Sequence, residues 1–77
     1  MLAIKTILYP TEEHFYIQES LDQQGYWYGY LYEEQAHCSL ICRDAVIKIE
    51  SRRLLRKLMD DRGWRSKTFL ANYKEGL

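Results

Sequence analysis

The stretch Gly25-Tyr26-Trp27-Tyr28-Gly29-Tyr30-Leu31-Tyr32 alternates strictly. Trp27, Gly29 and Leu31 fall on one side of a strand, and Tyr26, Tyr28, Tyr30 and Tyr32 on the other. Aromatic side chains fit a pleated, half-buried surface, so a strand is the reading of this segment.

The preceding residues supply its partner. Residues 14–21 read as a second strand, and Asp22-Gln23-Gln24-Gly25 reads as a type I turn. Asp suits the first position, and Gly supplies a left-handed bulge residue at the last. With the bulge at Gly25, Leu21 faces Trp27, Ile17 faces Leu31 and Glu19 faces Gly29, with Phe15 on the same side. The opposite face pairs Tyr16 with Tyr32, Gln18 with Tyr30 and Ser20 with Tyr28. Every large aliphatic residue of the hairpin then shares a face with Trp27. A shift of one residue would scatter them.

The flanking segments are less regular. Residues 2–9 predict a first strand with Leu2, Ile4 and Leu8 on its core face and Lys5 opposite. Pro10, which has no backbone donor, ends it. Over residues 33–50 the pattern is broken: Glu33-Glu34-Gln35-Ala36 leans helical, Ile41 interrupts an alternation, and Arg43-Asp44 divides it. Two short strands are expected there, a helix over 33–43 being the alternative. Ser51 is a good N-cap. Residues 52–62 then predict a helix with Leu54, Leu55, Leu58 and Met59 in one apolar stripe and Arg52, Arg53, Arg56 and Lys57 opposite. Gly63 stops it, and Trp64 is expected to pack back on its end. Ser66 could cap a short turn over 67–73, and residues 74–77 should fray.

The 77-residue length allows one domain, taken as 1–77. The expected fold is α+β: an antiparallel meander of three to five strands packed by one C-terminal amphipathic helix. Its core should hold Ile4, Leu8, Phe15, Ile17, Leu21, Trp27, Leu31, Leu40, Leu54, Leu55, Leu58 and Met59. A single core of this size rarely supplies more than ~3–5 kcal/mol, so association with another chain or with a second copy is expected. No apolar run has signal-peptide or membrane-span length, so the cytoplasm is the expected compartment. Cys38 and Cys42, about 13 Å apart on a strand, are read as reduced.

The formal charge is zero but unevenly placed. Residues 1–35 carry one base against six acids, a net of −5. Residues 36–77 carry ten bases against five acids, a net of +5. The predicted helix opposes its own dipole, with bases at its start, like charges at Arg52–Arg56 and Arg53–Lys57, and Asp60-Asp61 at its end. Pairs within the helix can offset that; otherwise the basic face serves an anionic partner.

Nothing here organises catalysis. His14, His37, Cys38 and Cys42 lack metal-ligand spacing. His37 and Cys38, adjacent on a strand, would point to opposite faces, unlike a nucleophile and its base. The acid pairs Glu12-Glu13 and Glu33-Glu34 are placed in solvated loops, and no glycine-rich phosphate loop occurs. Residues 54–64 resemble the opening helix of phage-repressor-type helix-turn-helix domains, with Phe69-Leu70-Ala71 standing for the second. The pattern departs after Gly63, and the chain is not assigned to that class. The expectation is a non-enzymatic, cofactor-free protein-interaction module, such as an accessory subunit or inhibitor. Tyr16, Tyr28, Tyr30 and Tyr32 would make its partner face. The alternative is nucleic-acid binding through Arg52, Arg53, Arg56 and Lys57 together with stacking on the tyrosines.

Overall fold

In a computed structural model, residues 3–65 are described, the side chain of Cys38 excepted. Among them the chain forms β1 (Ala3–Glu12), β2 (Phe15–Asp22), β3 (Trp27–Glu34), a 3-10 turn (Ala36–Cys38), β4 (Leu40–Ile49) and α1 (Arg52–Asp61). The strands make one antiparallel meander in the order β1-β2-β3-β4, with α1 across β3 and β4. This is the expected small α+β fold. Residue 2, the 67–73 turn, the 74–77 end and Phe69-Leu70-Ala71 lie outside the described residues.

The β2–β3 hairpin has the register deduced from its pattern: Leu21 opposite Trp27, Glu19 opposite Gly29, Ile17 opposite Leu31 and Tyr16 opposite Tyr32. Gly25 has φ +91° and donates its N–H to the Asp22 carbonyl at 3.2 Å. The helix ends also match their signals. Ser51 Oγ accepts from the Leu54 N–H at 3.2 Å. At the other end the Gly63 N–H reaches the Asp60 carbonyl and the Trp64 N–H reaches the Met59 carbonyl, both at 3.0 Å. This paired closure turns the chain back, and Trp64 is buried in the core.

Several expectations are corrected by the structure. β1 does not stop at Pro10 but runs through it, with Pro10 opposite Tyr16. β1 is an edge strand, where a missing N–H need cost no ladder bond. Its core face is also the other one. Pairing Tyr9 with Ile17 turns Ile7 and Tyr9 toward α1, leaving Ile4 62% and Leu8 51% exposed. Both faces of this strand carry apolar side chains, so only the pairing could choose between them.

The segment 33–50 holds neither a 33–43 helix nor two separate strands. Glu33 and Glu34 close β3, half-buried rather than loop-borne, and Glu12 likewise ends β1. A turn through His37, at φ +69°, leads into one long β4. The Arg43-Asp44 interruption is a bulge: Asp44 faces Leu31 while Cys42 faces Tyr32. A second irregularity lies between Val46 and Ile49, where Lys48 has φ +56°.

The core is smaller than expected and differently composed. Tyr9, Ile17, Val46, Leu55, Met59 and Trp64 are its buried apolar members, with Ile7, Trp27, Leu31 and Ile49 packed against them. Phe15 and Leu21 are half-buried. Leu54 and Leu58 are exposed, because α1 buries only Leu55 and Met59 of its apolar stripe against the sheet; Leu40, at the start of β4, is exposed as well. Gly29 sets that approach: a Cβ there would lie 2.7 Å from Leu55 Cδ1 and 3.2 Å from Met59 Sδ.

Candidate functional site

Among the described residues the sheet has one face under α1 and one face open. Alternation from the hairpin register assigns the residues. Trp27, Gly29 and Leu31 lie under the helix, and Tyr28, Tyr30 and Tyr32 point to the other side. The strand pairings extend this open face into three rows. Thr6, Ser20 and Tyr28 form one. Leu8, Gln18, Tyr30 and Ala45 form the next, and Pro10, Tyr16, Tyr32 and Cys42 the third. Tyr16, Tyr28, Tyr30 and Tyr32 thus share a single surface, as the sequence indicated. Leu8 and Pro10 belong to it as well, although the sequence placed Leu8 in the core.

The tyrosines are half-buried, and among the described residues no helix lies over them. Tyr30 and Tyr32 lean together with ring centroids 6.1 Å apart at 31°. The Tyr28 hydroxyl donates to Asp22 Oδ2 at 3.0 Å. Asp22 Oδ1 accepts the backbone N–H groups of Gln24 and Tyr26, both at 2.9 Å. Burial alone would push the Asp22 carboxyl up. Hydrogen bonds from the Tyr26 amide, the Tyr28 hydroxyl and the Gln24 and Gly25 amides outweigh it and hold the group below its ordinary value. Burial, then the bond to Asp22, raises the Tyr28 phenol; burial raises that of Tyr32, with Cys42 and Tyr30 beside it.

None of the residues in these three rows is a lysine or arginine. The charged residues that alternation adds to this side are the acids Asp22 and Glu34, the latter 3.7 Å from His14 Nδ1. The surface is therefore aromatic and acidic.

The four basic helix residues lie across the sheet from it and divide in two. Arg52 and Arg56 turn inward, donating from Nε to Glu19 at 2.7 and 3.3 Å. Arg52 also stacks over Trp27 with its guanidinium carbon 5.5 Å from the ring centroid. Glu19 is 0% exposed and accepts a third bond, from the Tyr9 hydroxyl at 2.6 Å. Burial, then that hydrogen bond and the Glu19 charge, push the Tyr9 phenol far above its ordinary range. Arg53 and Lys57 are exposed on the outer side of α1. The like-charge cost foreseen for Arg52 and Arg56 is thus offset by a shared carboxylate on the neighbouring sheet.

The hairpin register puts Glu19 on the core face, opposite Gly29. A lone acid among apolar positions, opposite a glycine and with an arginine-rich helix to follow, was the available signal. The metal-type residues stay scattered. His14 and His37 sit in separate turns at positive φ and Cys42 is exposed. Among the described residues no three His, Cys, Asp or Glu side chains cluster as a metal site would require. None of the described helices is long and apolar enough to cross a membrane. Comparison with protein-family models, with curated proteins and with solved structures finds no match.

Proposed function

We propose that this domain is a non-catalytic interaction module that captures another protein through the open face of its sheet, as an accessory subunit or inhibitor of a larger assembly. The observation that carries this reading is the continuous surface formed by Tyr16, Tyr28, Tyr30 and Tyr32 with Leu8 and Pro10. Tyrosines offer large contact area with few rotors to freeze, and Asp22 already holds one of them in place. The acids at the margin and the missing bases favour a partner with apolar and cationic residues, the cations resting on tyrosine faces or against Asp22 and Glu34. The exposed Cys42 thiol suits a reducing compartment, so the cytoplasm is the proposed location.

Nucleic-acid binding is the weaker reading, since the basic helix and the tyrosines lie on opposite sides of the sheet and Arg52 and Arg56 are engaged by Glu19. Among the described residues, stacked bases would find no lysine or arginine beside them to meet their phosphates.

The test is capture of a binding partner by wild type and by the Tyr28→Ser/Tyr30→Ser double variant, with Arg53→Gln/Lys57→Gln as the comparison. The tyrosine pair should abolish capture and the exposed basic pair should leave it intact, with little dependence on salt. Loss of binding only in the basic pair, with affinity falling steeply as salt rises, would reverse the choice in favour of nucleic acid.

A further inference from the structure

The apolar stripe of α1 is wider than the part its own sheet covers. Leu55 and Met59 are sealed in, whereas Leu54 and Leu58, on the adjoining flank, are 46% and 37% exposed. The inward arginines fix which way this flank looks. Arg52 and Arg56 reach toward β2, so Leu54 and Leu58, on the other side of the Leu55–Met59 line, face past the β4 edge. Together with Ile49 they line a shallow cleft of about 280 Å³.

The rim of this cleft carries Lys48 and Lys57 and, against them, Glu50 and Asp61. Two bases and two acids around an apolar centre suit one occupant in particular. In a two-fold contact each copy presents the same patch, so the patch must hold both signs for its charges to be met. A phosphate-rich or strongly acidic ligand would call for a rim of one sign. A second copy would also add apolar burial to a core that, among the described residues, has six buried members.

We infer that this flank of α1 is a self-association surface, with Leu54 and Leu58 of one copy packed on those of the other in a two-fold dimer. The contact leaves the tyrosine face free, on the opposite side of the sheet, so each dimer presents it twice.

Sedimentation velocity on the full chain over a wide concentration range tests this. Wild type should show a reversible monomer–dimer equilibrium. Leu54→Asn/Leu58→Asn should remain monomeric with its melting curve still cooperative, since both side chains are already exposed. Asp61→Lys, which gives the rim an excess of one sign, should weaken the dimer about two- to fivefold, the range of exposed ion pairs. Adding Lys57→Glu should recover the loss. Tyr28→Ser/Tyr30→Ser should leave the dimer unchanged, so this result stands or falls separately from partner capture. A monomer at every concentration, a dimer that survives the double leucine variant, no recovery on charge reversal, or loss of the dimer in the tyrosine variant would each overturn the proposal.

Discussion

Glu19 and Asp22 lie on the same strand, both buried, one facing α1 and the other the open side. Their partners come from very different distances along the chain. Asp22 is satisfied by Gln24, Tyr26 and Tyr28, all within its own hairpin. Glu19 is satisfied by Tyr9 on β1 and by Arg52 and Arg56 on the helix, 33 and 37 residues away. The Asp22 network can form as soon as the hairpin does. The Glu19 network exists only when helix and sheet have docked. One carboxylate shapes a turn, and the other holds two layers together.

Removing the long-range carboxylate should have the largest effect. Glu19→Ala leaves two guanidiniums and a buried phenol without their acceptor, and breaking such a pair costs about 3–5 kcal/mol. Because Arg52 and Arg56 can partly turn to water, the lower end is expected. Urea unfolding reads it; a midpoint unchanged from wild type would mean that helix docking does not depend on this carboxylate.

The helix–sheet approach itself can be tested at Gly29. The Gly29→Ala Cβ meets the Leu55 side chain at 2.7 Å, an overpacking cost of about 1–3 kcal/mol. Combining it with Leu55→Val should cost less than the sum of the two single changes. Strict additivity in a double-mutant cycle would show that the two side chains do not meet.

On the local side, Gly25→Val forces a β-branched residue to φ +91° and should cost more than about 1 kcal/mol. Loss of the hairpin amide signals ahead of the helix signals in hydrogen exchange would place the damage in the turn; equal loss everywhere would not.

The smallest effect is a pH dependence. The folded Asp22 carboxyl lies below its ordinary value, so it binds protons less readily folded than unfolded. Its contribution is complete above the usual aspartate value of about 3.9 and is lost as pH falls through the folded value. Asp22→Asn should flatten that portion of the stability curve while leaving a deficit at neutral pH. An acid limb identical in wild type and variant would assign the titration to other carboxylates.

The same contrast explains what could be read from the residues. The hairpin register followed from Leu21, Trp27, Ile17 and Leu31 sharing a face, and the helix ends from Ser51 and Gly63. All of these are interactions between residues close in the chain. The reading faltered where an apolar residue had a choice. Ile4 and Leu8 lost to Ile7 and Tyr9 because β1 docked in the register that brings the Tyr9 hydroxyl to Glu19. In the same way, α1 seated Leu55 and Met59 and left Leu54 and Leu58 outside. Amphipathicity counts apolar positions but does not say how wide a stripe one sheet can cover.

The candidate face was legible in part. Its four tyrosines followed from alternation, whereas Leu8 and Pro10 joined them only through the β1–β2 pairing. The nucleic-acid alternative depended on tyrosines and helix arginines acting together, and a sequence cannot say on which side of a sheet a helix will land.

The sequence by itself determined the tight turn, the pairing across it, the helix boundaries and the two-layer class, because backbone preference and period-two alternation act within a few residues. Tertiary structure decided which flank of α1 is sealed, where the β4 bulges fall and which arginines are used. Those choices depend on how closely Leu55 approaches Gly29 and on a buried carboxylate finding its partners, and both are settled only when the layers meet.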